Sequence, residues 1–368
     1  MKPLEGLRIL TVEHVGAGPY GTMFLAGLGA EVIKIENAAT GGDVARHTGP
    51  RFLGEDDSEY FQCLNLWKKS VSLDLTKDVP QFHSLVGSAD AVVNNLRGDV
   101  PAKLGLDYKS LAKVNPRVVC LHISAYGRDN ERASWPGYDF LMQAETGLMD
   151  LTGEPEGAPS RFGTSVIDFS TGMTGAAALL ACLLRAKATG KGCDVDASLF
   201  DTALHQLNYM GTWHLNGAEP HSRQPRSAHY SLTPVQTYKT ADGWIYVMCM
   251  KDSFWAALCD GLSRSELKLD SRFSSMAARL ENRDALTVLL DGEFRKKTTS
   301  EWLKALSGRV PVAPVNDMRK ALENPFVAAS GMVQSIDHPK KRGLRVFTLP
   351  VKIDGERPRA VAAQPLKK

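Results

Sequence analysis

No two of the six cysteines in this chain are spaced as C-x-x-C; they lie scattered at 63, 120, 182, 193, 249 and 259. That spacing gives neither a zinc ribbon nor a disulfide framework, and it reads as reduced thiols in a cytosol-like compartment. H-E-x-x-H, G-x-S-x-G and the phosphate loop G-x-x-x-x-G-K-[S/T] are all missing, so zinc-protease, serine-hydrolase and P-loop chemistry have no footing. No residue pairs sit at metal-ligand spacing, and no metal is expected. Charge of one sign is scarce: 44 Lys and Arg against 41 Asp and Glu leave +3. This is too little for a nucleic-acid footprint, although it suits a modestly anionic small ligand. No window holds 18 uncharged apolar residues, so neither a transmembrane span nor a membrane partner is expected. The opening MKPLEGLRILTVEH lacks the apolar core of a secretory signal, which predicts a cytoplasmic protein.

What is present is a globular composition, 43% apolar and 23% charged over 368 residues. Such a length predicts two domains or one large α/β unit. Residues 7–12 (LRILTV) read as a buried strand, Pro19 as the first position of a helix with Gly29 at its exit, and 32–36 as a second strand. That is a β-α-β unit with parallel strands. Gly16, Gly18 and Gly21 spell G-x-G-x-x-G and Glu36 ends the next strand, which together suggest a dinucleotide site. A tight turn with close helix packing explains the same glycines. Residues 37–62 read as a long charged loop containing Arg46, His47 and Arg51, and further strands are expected near 70–75, 90–95 and 117–123. The segment beyond the 90–95 strand, Asn95 to Lys103, falls at a strand's carboxyl end, where open parallel sheets bind ligands.

The organising stretch is 161–199, in which residues 171–185 are almost wholly small or aliphatic. A helix apolar all round is a buried one, and this run is too short and Gly-rich to span a bilayer. Asp168 stands at its N-terminal edge. There it either caps the helix or serves as a carboxylate nucleophile in a dry site. The strand-helix alternation predicts a doubly wound α/β domain over 1–215. A Gly/Pro/Ser/His-rich linker is expected over 216–231, a smaller α+β domain over 232–325 with a hairpin at Asp242-Gly243, and a return to the large domain over 326–368. The histidines at 14, 122 and 229 are isolated and read as structural.

Four blocks in order, LEGLRILTVEHVGAGPYGTMFLAGLGAEVIKIE, NLWKKSVSLDL, YGRDNERASWPGYDFLMQAETGLMDLTG and VIDFSTGMTGAAALLACLLRAKATGKGCDVDASLFD, resemble the class III CoA-transferases. That family includes formyl-CoA and carnitine CoA-transferases and the α-methylacyl-CoA racemases, and the similarity runs from about Leu4 to Pro358. The resemblance implies a Rossmann-like large domain, an interlocked homodimer, and coenzyme A as a substrate, with no prosthetic group. It places Asp168 on the family's nucleophilic aspartate and Tyr138 and Asp139 beside it. Gly16, Ala17, Leu73, Asp74, Asn95, Leu96, Arg97 and Lys103 fall on the CoA-binding positions. Lys68, Lys69 and Lys77 add basic groups nearby in sequence. Tyr138 stands where racemases carry a catalytic histidine, so transfer is favoured over racemisation. An arginine common after the K-I-E strand is replaced by Asn37, and SRQPRSAHYSLTP replaces the Gly-run loop of the formyl-CoA enzymes. The first departure bears on one phosphate contact; the loop is closer to that of family members acting on short dicarboxylic acids such as succinate, for whose free carboxylate Arg46, Arg51 and Arg161 are candidates. An NAD-dependent oxidoreductase and a non-catalytic CoA-binding scaffold are the remaining alternatives.

Overall fold

The computed structural model describes residues 2–217 and 222–366. The chain divides into two compact units, one of Met1–Leu148, Arg161–Thr212 and Pro325–Lys368, the other of Met149–Ser160 and Trp213–Asn324.

In the first unit six strands alternate with helices: β1 (Arg8–Val12), α1 (Ala17–Gly27), β2 (Glu31–Glu36), α2 (Glu59–Asn65), β3 (Lys69–Ser72), α3 (Val79–Val86), β4 (Ala91–Asn94), α4 (Tyr108–Leu111), β5 (Val119–Ser124), α5 (Asp139–Glu145), α6 (Val166–Thr189), β6 (Cys193–Ser198) and α7 (Leu199–Gln206). The strands form one sheet in the order β3-β2-β1-β4-β5-β6, and every pairing is parallel. Parallel sheets need both faces covered, and the sequence supplies apolar side chains to both. Ile9, Val32, Val93 and Leu121 pack against α1 and α6, whereas Leu10, Ile33, Val92 and Cys120 pack with Phe82 and Val86 of α3 and Leu111 of α4. Full burial of each large aliphatic side chain contributes roughly 1.5–3 kcal/mol.

Helix α6 runs 24 residues, longer than the apolar run suggests, and its most apolar window reaches a mean hydropathy of 1.6. Length alone would let it cross a membrane. Its place in the fold is set instead by a buried stripe of Ile167, Thr171, Gly175, Leu179, Leu183 and Ala186 against the sheet. The other side is not buried within this chain. Met173, Ala177, Ala181 and Leu184 are exposed, Leu184 by 71%. The sequence expectation of a helix buried all round therefore holds for one face only.

Residues 37–62, expected as an open loop, contain two 3-10 turns (Ala38–Thr40 and Val44–His47) and the start of α2. The Oγ of Ser58 caps α2 by accepting the N–H of Phe61 at 2.9 Å.

Helix α8 (Asn208–Leu215) leads out of the first unit. The second unit holds the antiparallel hairpin β7 (Val235–Lys239) and β8 (Trp244–Met248), then α9 (Asp252–Gly261), α10 (Met276–Glu281), α11 (Arg283–Phe294), α12 (Thr299–Leu306), and β9 (Val312–Pro314) pairing with β8. Its core is aromatic: Tyr238 stacks on Phe294 at 4.9 Å, and Trp302 meets Phe294 edge-on at 5.3 Å. Helix α13 (Met318–Leu322) ends the unit; α14 (Pro325–Ser330) and the antiparallel pair β10 (Val333–His338) and β11 (Lys341–Phe347) belong to the first.

Residues 218–221 of the expected linker lie outside the described residues. The rest of it is tied down within the second unit. Arg226 forms an ion pair with Asp291 at 2.5 Å, and the guanidinium of Arg283 donates to the carbonyls of His229 and Tyr230. The segment 149–160, taken as a loop of the large domain, also joins the second unit: the N–H of Arg226 donates to Glu154 at 2.9 Å.

Helices α1 and α6 pack backbone to backbone. A Cβ on Gly21 would lie 2.3 Å from the carbonyl oxygen of Gly172, and a Cβ on Gly172 would lie 2.3 Å from that of Ala17. Backbone cannot yield as a side-chain tip can. Gly21→Ala is expected to destabilise the fold by about 1–3 kcal/mol. At Gly292, in α11, a Cβ meets nothing within 4 Å, and Gly292→Ala should stabilise by roughly 0.5–1 kcal/mol. Denaturant midpoints of the two variants, moving in opposite directions from wild type, are the check.

Candidate active site

A cleft of about 320 Å³ opens at the carboxyl ends of the strands. It is bounded by His14 to Ala17 after β1, Val44 after β2, Asn95 to Arg97 after β4, Ser124 and Ala125 at the end of β5, and Leu199 after β6. Trp135 to Tyr138 and Asp168 complete its wall. Strand order reverses direction between β1 and β4, and that switch point is where open α/β sheets leave room for a ligand.

Asp168 is in the first turn of α6, but it does not cap the helix. That task falls to Asp139, at the start of α5, whose Oδ2 accepts the N–H groups of Ile167 at 2.6 Å and Asp168 at 2.9 Å. Its Oδ1 accepts from the side-chain amide of Gln143 at 2.5 Å, and Gln143 in turn accepts the N–H of Phe162. The carboxylate of Asp168 is left with no hydrogen-bond donor among the described residues. Burial, and after it the negative charge of Asp139, pushes its pKa up to about 7. Asp168 is thus a largely desolvated carboxylate at the cleft wall, with a like charge behind it.

Gly16 makes room for it. A Cβ at position 16 would stand 2.3 Å from Oδ2 of Asp168 and 2.8 Å from its carboxyl carbon. The N–H of Ala17, at the amino end of α1, has no acceptor among the described residues, so a helix N-terminus faces the same space. Val15 has φ of +57°, a strained conformation for a β-branched residue. The carboxylate of Asp43 accepts its N–H at 3.1 Å.

Beneath this loop lies a buried charge cluster. Lys34 contacts Asp43 at 2.8 Å and donates to the carbonyl of Glu13 at 2.7 Å. Lys68 meets Glu13 at 2.7 Å, and Thr22 donates to the same carboxylate. Burial pulls the Lys68 ammonium down to about 8 even with Glu13 opposing it. Burial also raises the Asp43 carboxyl, but the charge of Lys34, followed by His14 and the N–H of Ala45, outweighs this and holds it well below its usual range.

The expected site residues divide clearly. Gly16, Ala17, Asn95, Leu96, Arg97, Tyr138 and Asp168 border one cleft, and Asp139 lies directly behind it. Leu73 packs against the core face that holds α3, and Asp74 is occupied by Thr76 and Lys77 in a turn. Lys103 and Arg97 share Asp99, at 2.6 and 3.5 Å. Three expectations are overturned. Arg46 cannot meet a substrate: it is fully buried, bound bidentately to Glu36 at 2.7 and 2.8 Å, and stacked 3.7 Å over Phe61. Glu36 is consumed by the same pair, by Ser70 and by the N–H of Asp43, leaving no acid for a ribose. Lys68 is no phosphate ligand, being sealed against Glu13. Arg51 and Arg161 do not border the cleft; Arg161 lies 4.2 Å over the ring of Phe140. Sequence reasoning took His14 as structural and missed Val15 and Trp135, all three in the cleft wall. A positive φ at a valine carries no sequence signal at all.

Comparison with known proteins supplies the rest. The model of CoA-transferase family III matches residues 4–367. The human succinyl-CoA:glutarate CoA-transferase is 34% identical over 345 residues, 92% of this chain and 77% of that protein. The acetyl-CoA:oxalate CoA-transferase of Acetobacter aceti is 35% identical over 358 residues, 96% of this chain and 90% of its own length. A crystal structure of a CAIB/BAIF family protein from Brucella suis superposes with a TM-score of 0.85 at 31% identity, covering 99% of this chain and 96% of that one. The chain belongs to CoA-transferase family III. It is an enzyme that transfers coenzyme A between carboxylic acids, and acyl-CoA thioesters are its substrates. The glycines that resembled a dinucleotide fingerprint belong to a CoA-transferase, and Gly21 spends its freedom on α6.

The raised pKa of Asp168 has a consequence for stability. An acid whose folded pKa exceeds its unfolded value binds a proton on folding between the two, so stability falls as pH rises from 3.8 to about 7. Removing the charge with Asp168→Asn should therefore raise Tm at pH 8, by roughly 1–3 kcal/mol of stability once solvent screening is discounted, and leave it unchanged at pH 3.5. Equal melting temperatures at pH 8 would contradict the desolvation of this carboxylate.

Proposed function

We propose that this CoA-transferase works through a covalent aspartyl intermediate at Asp168 and acts on short dicarboxylic acids. An Asp168 oxygen attacks the thioester carbonyl, the C–S bond breaks, and a mixed anhydride and a CoA thiolate result. The thiolate attacks the carboxyl carbon of Asp168, the anhydride C–O bond breaks, and the donor acid leaves as its carboxylate. The aspartyl-CoA thioester that remains is attacked by the acceptor carboxylate, and the two steps reverse. Charge passes from carboxylate to thiolate and back, so no side chain has to move a proton. A carboxylate without hydrogen-bond donors is the better nucleophile, and this single feature of Asp168 carries the reading. Backbone N–H groups at the start of α1 would stabilise the oxyanions.

The choice of dicarboxylic acids rests on the relatives, whose names specify succinate, glutarate and oxalate. The large unit is Rossmann-like in its strand order. The apolar face of α6 that one chain leaves uncovered supports an interlocked homodimer, in which a second copy would close it. Sedimentation at micromolar concentration should then give about twice the 40.1 kDa chain mass.

Turnover should depend on the ionised carboxylate. The kcat/KM for an acyl-CoA donor is expected to rise with pH and level off above an apparent pKa near 7. Asp168→Ala and Asp168→Asn should lose at least about a thousand-fold in kcat, as covalent nucleophiles do. Borohydride or hydroxylamine added with the thioester should mark Asp168 by mass spectrometry. Unimpaired exchange by Asp168→Asn would end the covalent reading, and a donor panel turning over only long branched acyl-CoAs would end the dicarboxylate one.

A further inference from the structure

A dicarboxylic substrate brings a second carboxylate that the reaction does not consume, and something must meet it near Asp168. Arg46 is committed to Glu36, and Arg51 and Arg161 do not border the cleft. The basic side chains that do are Arg97 and His14. Arg97 is held toward Asp99 together with Lys103, in the stretch that carries the CoA-binding positions. His14 is placed differently. It stands two residues before Gly16, whose α-carbon abuts the carboxylate of Asp168, and consecutive α-carbons are about 3.8 Å apart.

The position of His14 is fixed on both sides. Asn95 accepts its N–H at 2.8 Å and donates to its carbonyl at 2.7 Å, anchoring the loop to the end of β4. Behind the ring, Nδ1 lies 3.6 Å from Oδ1 of Asp43, an ion-pair separation and not a hydrogen bond. Asp43 is fully buried and balanced by Lys34 at 2.8 Å. Nδ1 therefore faces a fixed negative charge, while Nε2 has no partner among the described residues and 45% of the side chain is open. With Nδ1–H turned to a carboxylate, the neutral ring would accept at Nε2; the form that donates from Nε2 is the imidazolium, whose charge matches a substrate carboxylate.

We propose that His14, as the imidazolium with Nδ1–H toward Asp43, binds the distal carboxylate of the transferred acid through Nε2–H and so sets the preference for dicarboxylic over monocarboxylic substrates. This rests on the dicarboxylate reading above. The same contact serves donor and acceptor, because both halves of the reaction pass through one cleft at Asp168. A carbon chain of a few atoms is all that separates the reacting carboxyl from the group His14 would hold. Longer or branched acids carry no such second charge there.

The test compares succinyl-CoA with butyryl-CoA as donors, matched in chain length, for wild type and for His14→Gln and His14→Leu. The readout is the ratio of their kcat/KM values, with Tm as a check on folding. The ratio in wild type should favour succinyl-CoA, and both variants should reduce it by about ten-fold or more, the loss expected for one hydrogen bond to a charged group. An unchanged ratio in well-folded variants overturns the assignment, as does an equal loss with both donors, which would mark a contact with CoA itself. A wild-type enzyme without preference between the two donors overturns the dicarboxylate reading and this assignment with it, a result visible before any variant is made.

Discussion

Two carboxylates meet at the first turn of α6, and only one of them receives its N–H groups. Asp139 accepts both, at 2.6 and 2.9 Å, and is further held by Gln143. Asp168 is left in a partly dry wall with that negative charge behind it and nothing donating to it. Hydrogen bonds stabilise an ionised carboxylate and burial destabilises it, so the two acids are driven apart in character although they are neighbours. The pattern is the general one for assigning roles to paired acids. One orients, and the other reacts. A helix N-terminus would normally satisfy its own first-turn acid; here α5 supplies the cap from outside, and the acid within α6 is freed for the cleft.

The freed carboxylate needs space as well as poor solvation, and glycine provides it. Gly16 admits Asp168 where any Cβ would collide, and Gly21 and Gly172 let the backbones of α1 and α6 touch. These contacts fix the amino end of α1 and the amino end of α6 against each other. Two helix N-termini then face one cleft, which is a favourable setting for an anionic substrate and for oxyanions formed from it. Dense packing thus positions the chemistry directly, since a shift of either helix would move the nucleophile relative to Ala17.

Much of this was legible from the residues alone. The strand at 7–12, a helix opening near Pro19 and the strand ending at Glu36 follow from apolar runs and Pro and Gly signals, and the cleft forms at the carboxyl ends where parallel sheets bind ligands. Asp168 itself could be read two ways until family resemblance weighed in. What stayed hidden depends on partners distant in sequence. Arg46 in a charged, glycine-rich loop looks solvated; it is buried because Glu36, Ser70 and Phe61 converge on it. Lys68 looks like a phosphate ligand beside Lys69, and only the tertiary fold turns it inward to Glu13. Nothing in the run E-H-V-G announces a strained valine, and nothing near position 139 announces that its carboxylate caps a helix starting 27 residues later.

The buried charges under the loop have their own logic. Burying ion pairs is costly, and replacement by apolar residues of similar volume is often neutral or better for stability. A cluster containing Glu13, Lys34, Asp43 and Lys68 is therefore poorly explained as a stabilising device. Its geometry points to the loop above. Glu13 precedes His14, Asp43 takes the N–H of Val15 at 3.1 Å, and Lys34 joins the two by binding the carbonyl of Glu13 and the carboxylate of Asp43. Strained backbone persists only where its surroundings over-determine it. The positive φ of Val15 is such a strain, and it turns the chain between His14 and Gly16 so that both border the cleft. An apolar substitute for the cluster could fill the volume, but it would have no directional bonds with which to hold residues 13–16 in that turn.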